Sequence, residues 1–184
     1  MKVIETGLPG CVVIEPAVFG DDRGFFFEAW NAGRYGEHGL PTEFVQSNVS
    51  SSARGVLRGL HYQWPNPQGK LVSVLAGEVY DVAVDIRRGS PHFGRWTAVM
   101  LSAENKRQLW VPEGFAHGFA VLSENAVFNY LCTALYDHAA DACIRWNDAD
   151  IAVDWPVGDP VLSDKDASAP FLADVPRDRL PAFA

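Results

Sequence analysis

The sequence predicts an all-β sandwich or barrel. Sixteen glycines and twelve prolines recur at short intervals along its 184 residues. Between them lie short runs rich in Val, Phe, Trp and Tyr, the residue types that pack on a pleated surface. One run, residues 78–86, alternates strictly. Tyr80, Val82, Val84 and Ile86 fall on one face; Val79, Asp81, Ala83 and Asp85 fall on the other. The two acids mark that second face as either wet or part of a functional cavity.

Strands are expected in chain order at residues 11–15, 24–30, 43–48, 56–63, 70–76, 78–86, 95–101, 108–111, 118–122 and 126–135. The run Phe25-Phe26-Phe27-Glu28-Ala29-Trp30 is apolar on both faces, which a surface strand of a monomer is not. It is either a central sandwich strand or a strand placed against a second subunit. Residues 32–38 contain two glycines and predict only a short helical turn. Asn147-Asp148-Ala149-Asp150 reads as a loop or a single turn. Residues 156–184 hold five prolines and no strong period, and are expected to wrap the core. The length suits a single domain, with a core over about residues 3–170 and a C-terminal tail over 171–184. A chain of this size buries roughly 70% of its unfolded surface and needs no staple to fold.

Composition narrows the function. The formal charge is −8 with no basic block, a poor match for nucleic acid. Local Arg and Lys residues still suffice to hold a small anion. Cys11, Cys132 and Cys143 are odd in number, widely spaced and free of any CxxC pair. That argues against a disulfide framework or a zinc knuckle and for a reducing, cytoplasmic setting. Residues 1–5 carry no signal-like apolar region, and no stretch of about 18 apolar residues predicts a membrane span.

The first chemical cluster is Leu57-Arg58-Gly59-Leu60-His61-Tyr62-Gln63. A strand histidine is either a general base near neutral pH or a hydrogen-bonded structural residue. Arg58 and His61 are three apart, so a regular strand sends them to opposite faces. Both line one cavity only if the strand is bulged, and Gly59 sits where that is possible. Lys70 follows a proline-rich loop. If residues 63 and 70 pair in a hairpin, Lys70 shares the face of His61; otherwise it is a solvated surface lysine. The second cluster, Pro112-Glu113-Gly114-Phe115-Ala116-His117, resembles the second metal motif of cupins. The first such motif needs His-x-His, and His61-Tyr62-Gln63 lacks one ligand, which counts against a metal centre. Phe128, Tyr130 and Cys132 share a face, and a tyrosine in a cavity can donate a proton. Leu162-Ser163-Asp164-Lys165-Asp166 and Asp21-Asp22-Arg23-Gly24 read by themselves as a charged surface loop and a hairpin turn.

The order and wording of five segments decide more than any one of them. They are Phe19 to Glu28, Val56 to Gln63, Gly77 to Arg87, Val111 to Phe119 and Leu162 to Asp166. Together, over about residues 3–170, the chain resembles the dTDP-4-dehydrorhamnose 3,5-epimerase family of dTDP-rhamnose biosynthesis. The resemblance implies a cupin-like β-barrel or jelly roll and no metal or organic cofactor. It also implies a homodimer that exchanges an N-terminal strand and lends Arg23 to the neighbouring site. The implied substrate is dTDP-4-dehydro-6-deoxy-D-glucose, inverted at C3 and C5.

By the same resemblance His61 is the base, Asp166 its orienting carboxylate, and Tyr130 the opposing acid. Lys70 lies near O4 of the sugar. Arg23, Glu28, Gln46, Ser47, Asn48, Arg58, His117, Asp141 and Lys165 serve the nucleotide sugar. Tyr136 lies where the family stacks an aromatic on thymine. From the spacing, Asp81 is a candidate to support His117. Leu131, Leu135 and Asp141 depart from the family's pattern; an aspartate at 141 shortens the reach by one methylene. The same residues would serve a C3-only or C5-only epimerase. A sugar-nucleotide 3,4-ketoisomerase, a metal-dependent cupin oxygenase and a non-catalytic binder are the competing classes.

Overall fold

The computed structural model describes residues 1–183. Its strands are β1 (Lys2–Glu5), β2 (Val12–Glu15), β3 (Val18–Asp21), β4 (Gly24–Phe27), β5 (Gln46–Ala53), β6 (Leu57–Gln63) and β7 (Lys70–Ala76). They continue as β8 (Glu78–Asp85), β9 (Trp96–Ser102), β10 (Gln108–Val111), β11 (Phe115–Val121), β12 (Asn125–Cys132) and β13 (Asp141–Cys143). Two short helices, α1 (Ala32–Gly36) and α2 (Asp164–Ala167), complete the regular structure with two single 3-10 turns. No helix among the described residues is long and apolar enough to cross a membrane.

The strands form two antiparallel sheets that face each other. One runs β1-β2-β10-β7-β12-β5 and the other β13-β6-β11-β8-β9. The expected all-β jelly-roll class holds, but the sheets share no hydrogen-bonded strand and do not close into a barrel. Between them, Val72, Val74 and Phe128 meet Val79, Ala83 and Phe119. The outer face of the five-stranded sheet is also dry. Leu60, Val82, Val84, Ile86 and Ala116 pack there against Ile151, Leu172, Val175 and Leu180, as the wrapping role of the C-terminal segment predicts. Neither acid of the alternating strand meets water. Asp81 points between the sheets. Asp85 is enclosed by its own hydrogen bonds, accepting from Arg87 Nη2 at 2.7 Å and Ser90 Oγ at 2.6 Å.

Three expectations need correction. The 63–70 hairpin does not form, because β6 and β7 belong to opposite sheets. The Phe25 run is not a central strand: β4 pairs only with β3, in a hairpin apart from both sheets. Phe19, Phe25 and Phe26 stand 65%, 61% and 69% exposed there. β1, β3 and β13, of three or four residues each, were not expected as strands, being too short to show a period.

The bulge in β6 does form. His61 pairs with His117 and Arg58 with Phe119, so two residues of β6 oppose one of β11. Gly59 adopts φ +144° at that point, and a Cβ on it would lie 2.6 Å from the Gly118 Cα. A Cβ on Gly118 would in turn lie 2.7 Å from the Arg58 carbonyl oxygen. The two backbones touch only because both residues are glycine.

Gly59→Ala is therefore expected to cost about 2–3 kcal/mol from backbone conformation and collision together. Thermal unfolding should show a midpoint roughly 5–10 °C lower. A midpoint within 2 °C of the parent would show that the strands can part there.

Candidate active site

The facing sheets leave a cavity of about 220 Å³ lined by Ser50, Arg58, His61, Lys70, His117, Phe119, Phe128 and Tyr130. His61 and Arg58 reach it from β6, and His117 and Phe119 from β11. Lys70, Phe128, Tyr130 and Ser50 come from β7, β12 and β5 of the opposite sheet. Histidine and tyrosine thus project from opposite walls. Phe119 and Phe128 stack at 4.2 Å between ring centroids, giving the cavity an apolar floor. A second chamber of about 170 Å³ shares His61, Lys70 and Tyr130 and adds Gln46, Asn48, Tyr136, Asp141 and Lys165.

Asp166 sits in α2, whose first turn is capped by Ser163: its Oγ accepts from the Asp166 N–H at 3.2 Å. The cap turns the carboxylate inward, where it is 2% exposed, and Asp166 Oδ1 lies 2.5 Å from His61 Nε2. The segment is thus an ordered turn behind the histidine, not a surface loop. Burial alone would raise the Asp166 pKa. The hydrogen bond and charge of His61, with Ser163 and the Cys143 thiol, outweigh burial and hold the carboxyl below its usual range. Cys143 Sγ donates to the same oxygen at 3.5 Å, and burial pushes that thiol's pKa up. The three ligand-type atoms of His61, Cys143 and Asp166 lie within 4.8 Å of one another. A zinc ion between imidazole and carboxylate would hold them roughly 3.3 Å apart; the 2.5 Å contact is a hydrogen bond.

His117 is held the same way. Its Nε2 lies 2.9 Å from Asp81 Oδ1 on neighbouring β8, which is the support its spacing suggested. The Lys70 Nζ makes no ion pair or hydrogen bond among the described residues. Burial pulls its pKa down, against the opposing fields of Cys132, Asp141 and Asp81. Burial raises the Tyr130 pKa, so the phenol keeps its proton at neutral pH. Arg58 donates from Nε to Ser52 Oγ at 3.0 Å. Asp141 reaches both Lys165 Nζ, at 2.5 Å, and the Tyr136 hydroxyl, at 3.1 Å.

The cleft gathers eleven of the sequence-derived site residues: His61, Tyr130, Asp166, Lys70, Arg58, His117, Gln46, Asn48, Tyr136, Asp141 and Lys165. Ser47 is not among them. The two-residue period of β5 turns it to the outer face, where its Oγ accepts from Asn129. Arg23 and Glu28 also lie away from this cleft. Arg23 pairs with Asp21 on the exposed hairpin, and Glu28 with Arg34 beside α1. Leu131, one of the departures, faces out into the cluster around Trp110.

Sequence reading missed Ser50 and Phe119 as wall residues of the first cavity and Gln63 and Gln68 of the second. Ser50, Phe119 and Gln63 were within reach, each two residues from a recognised site residue on the same strand. So was Cys143 as a neighbour of Asp166, two residues from Asp141 on β13.

A family profile described as dTDP-4-dehydrorhamnose 3,5-epimerase matches residues 5–174. The chain is 56% identical over 176 residues to the dTDP-4-dehydrorhamnose 3,5-epimerase of Pseudomonas aeruginosa, covering 95% of this chain and 97% of that one. It is 54% identical, at a TM-score of 0.97, to a crystal structure of a 3,5-epimerase from Legionella pneumophila in complex with dTDP-4-keto-L-rhamnose. That likeness covers 100% of this chain and 98% of the other. A 3′-monoepimerase from Streptomyces bikiniensis, in complex with dTDP-quinovose, is 34% identical at a TM-score of 0.91, covering 97% and 92% of the two chains.

The Asp166 environment predicts a pH signature. A carboxyl whose pKa is lower folded than unfolded stabilises the fold above the unfolded value, near 3.9. That contribution is lost as pH falls through the lower folded value. Asp166→Asn should cost about 1–3 kcal/mol in urea unfolding at pH 7. The gap from the parent should narrow steadily below pH 4. A gap independent of pH would refute the ionised pairing.

Proposed function

The chain belongs to the dTDP-4-dehydrorhamnose 3,5-epimerase family, and from that premise we propose that it inverts both C3 and C5 of dTDP-4-dehydro-6-deoxy-D-glucose. The product is dTDP-4-dehydro-L-rhamnose, and no step calls for a metal or organic cofactor. The supporting observation is the pair of opposed groups: carboxylate-backed His61 on one wall and protonated Tyr130 on the other, with Lys70 lining the same cavity.

The hydrogens at C3 and C5 are acidified by the C4 ketone between them. In the D-gluco chair both are axial on one face, so a single base serves both centres. His61 takes the proton, and Asp166 orients the ring and stabilises the imidazolium that forms. The electron pair moves onto O4, where Lys70 meets the developing negative charge. Tyr130 returns a proton from the opposite face, which inverts the centre. The turnover leaves an imidazolium and a phenolate. Proton exchange with water resets both before the second centre reacts. Arg58 offsets the phenolate or binds diphosphate, which suits a guanidinium. Tyr136 offers a π-face to thymine, with Gln46, Asn48, His117, Asp141 and Lys165 around the nucleotide sugar.

Arg23 and Glu28 enter this scheme through a homodimer. The exposed Phe19, Phe25 and Phe26 of the β3–β4 hairpin form an apolar surface that a second copy covers, carrying Arg23 to the neighbouring cleft. Three free cysteines suit a reducing cytoplasm.

Proton NMR of the substrate with enzyme in deuterated water tests the reaction. Deuterium is expected at both C3 and C5. Label at one carbon only would favour the single-centre reading, which the likeness to the 3′-monoepimerase keeps in play; label at neither would refute epimerisation. His61→Asn is expected to lower kcat by about 10³-fold with the fold intact, and activity within threefold would remove His61 as base. Light scattering should give the mass of two chains at micromolar protein; a single-chain mass would refute the dimer.

A further inference from the structure

We propose that Gln63 is a positioning residue: its side-chain amide clamps the segment carrying Tyr136 and so sets how tightly the nucleotide end of the substrate binds. The inference rests on the reading of Tyr136 as the base platform.

Tyr136 lies in the irregular stretch between β12 and β13, at a part of it that stands out in solvent. Leu135 is 66% exposed and Tyr136 52%. Apolar packing therefore does not fix the ring, and polar contacts must. Gln63, at the end of β6 and 6% exposed, supplies them on both sides. Its Nε2 donates to the Leu135 carbonyl at 3.1 Å, and its Oε1 accepts from the Asp137 N–H at 2.8 Å. The second Nε2 proton goes to the Asn66 carbonyl at 2.5 Å, tying the neighbouring loop to the same amide. Gln68 donates to the Ala134 carbonyl at 2.8 Å, one residue before Leu135. The Tyr136 N–H itself donates to Gln46 Oε1 at 2.8 Å.

A side chain with two donors and an acceptor in one plane meets all three partners, and no other residue of this volume does. Gln63 occupies the position where a metal-binding relative of the motif would carry a ligand. Here its polar atoms are consumed by backbone, two residues from His61 on the same strand. An amide used this way acts on ground-state binding, not on the proton transfer.

The test is Gln63→Met, which keeps the volume and removes the polar atoms. KM for the dTDP-sugar and Kd for thymidine diphosphate should each rise about tenfold, with kcat within threefold. Tyr136→Ala should weaken thymidine diphosphate comparably, and adding Gln63→Met to it should change Kd less than twofold. A merely structural Gln63 would lower kcat with KM unchanged, or add fully to Tyr136→Ala; either result overturns the clamp. If Tyr136→Ala weakens the nucleotide and Gln63→Met does not, the clamp fails while the platform reading survives. If Tyr136→Ala leaves Kd unchanged, the platform reading itself fails. Gln68→Met, which removes only the Ala134 contact, is the second variant should Gln63→Met not fold. It should raise KM about threefold at unchanged kcat, and no change would overturn the proposal.

Discussion

The contact of Gly59 with Gly118 is the constraint on which the site depends. Strand geometry alternates side chains, so Arg58 and His61 cannot share a cavity on a regular β6. One extra residue in β6 re-aims half the strand, and the extra residue fits only where two backbones meet without side chains. From that point on, His61 faces the cavity with His117 directly across the ladder, while Arg58 enters beside Phe119. The bulge thus turns the β6–β11 ladder into a site without breaking the dry packing on the sheet's other face.

Electrostatics within the cleft run against the charge of the whole. The chain is formally −8, yet Arg58, Lys70 and Lys165 converge on one cleft. The acids nearby are committed: Asp166 to His61, Asp81 to His117 and Asp141 to Lys165. Of these cations only Lys165 pairs with a carboxylate among the described residues; Arg58 is held by the Ser52 hydroxyl, and burial already strains the charge of Lys70. A ligand that brings negative charge, or develops it, would relieve that cost. This is the sense in which a cavity is electrostatically organised before its substrate arrives.

Much of the fold and site was legible because short-range rules govern them. The alternation of residues 78–86 and the Gly- and Pro-bounded runs located the long strands. Gly59 signalled the bulge, and Asp81 the support for His117. Other features depend on distance. The proximity of Lys70 to His61 was anticipated from a hairpin that does not exist; it arises because β7 crosses to the facing sheet. Asp166 lies 105 residues from His61 in sequence, and only the family likeness paired them. Ser47 shows the opposite failure, where a motif was carried over whole although strand period exposes only alternate members of it. The exposed β3–β4 hairpin made its apolar run ambiguous in sequence, and its isolation from both sheets removes the central-strand option.

The dry outer face of the five-stranded sheet has a consequence for biosynthesis. Leu172, Val175 and Leu180 cover Val82, Val84 and Ile86, and they leave the ribosome after every strand has already emerged. Until then, the sheet that bears His61 presents its hydrophobic back to solvent. Between the last strand and that cover the nascent chain is therefore a target for chaperones, and a frameshift after α2 would yield a protein with every site residue present and its supporting sheet uncovered.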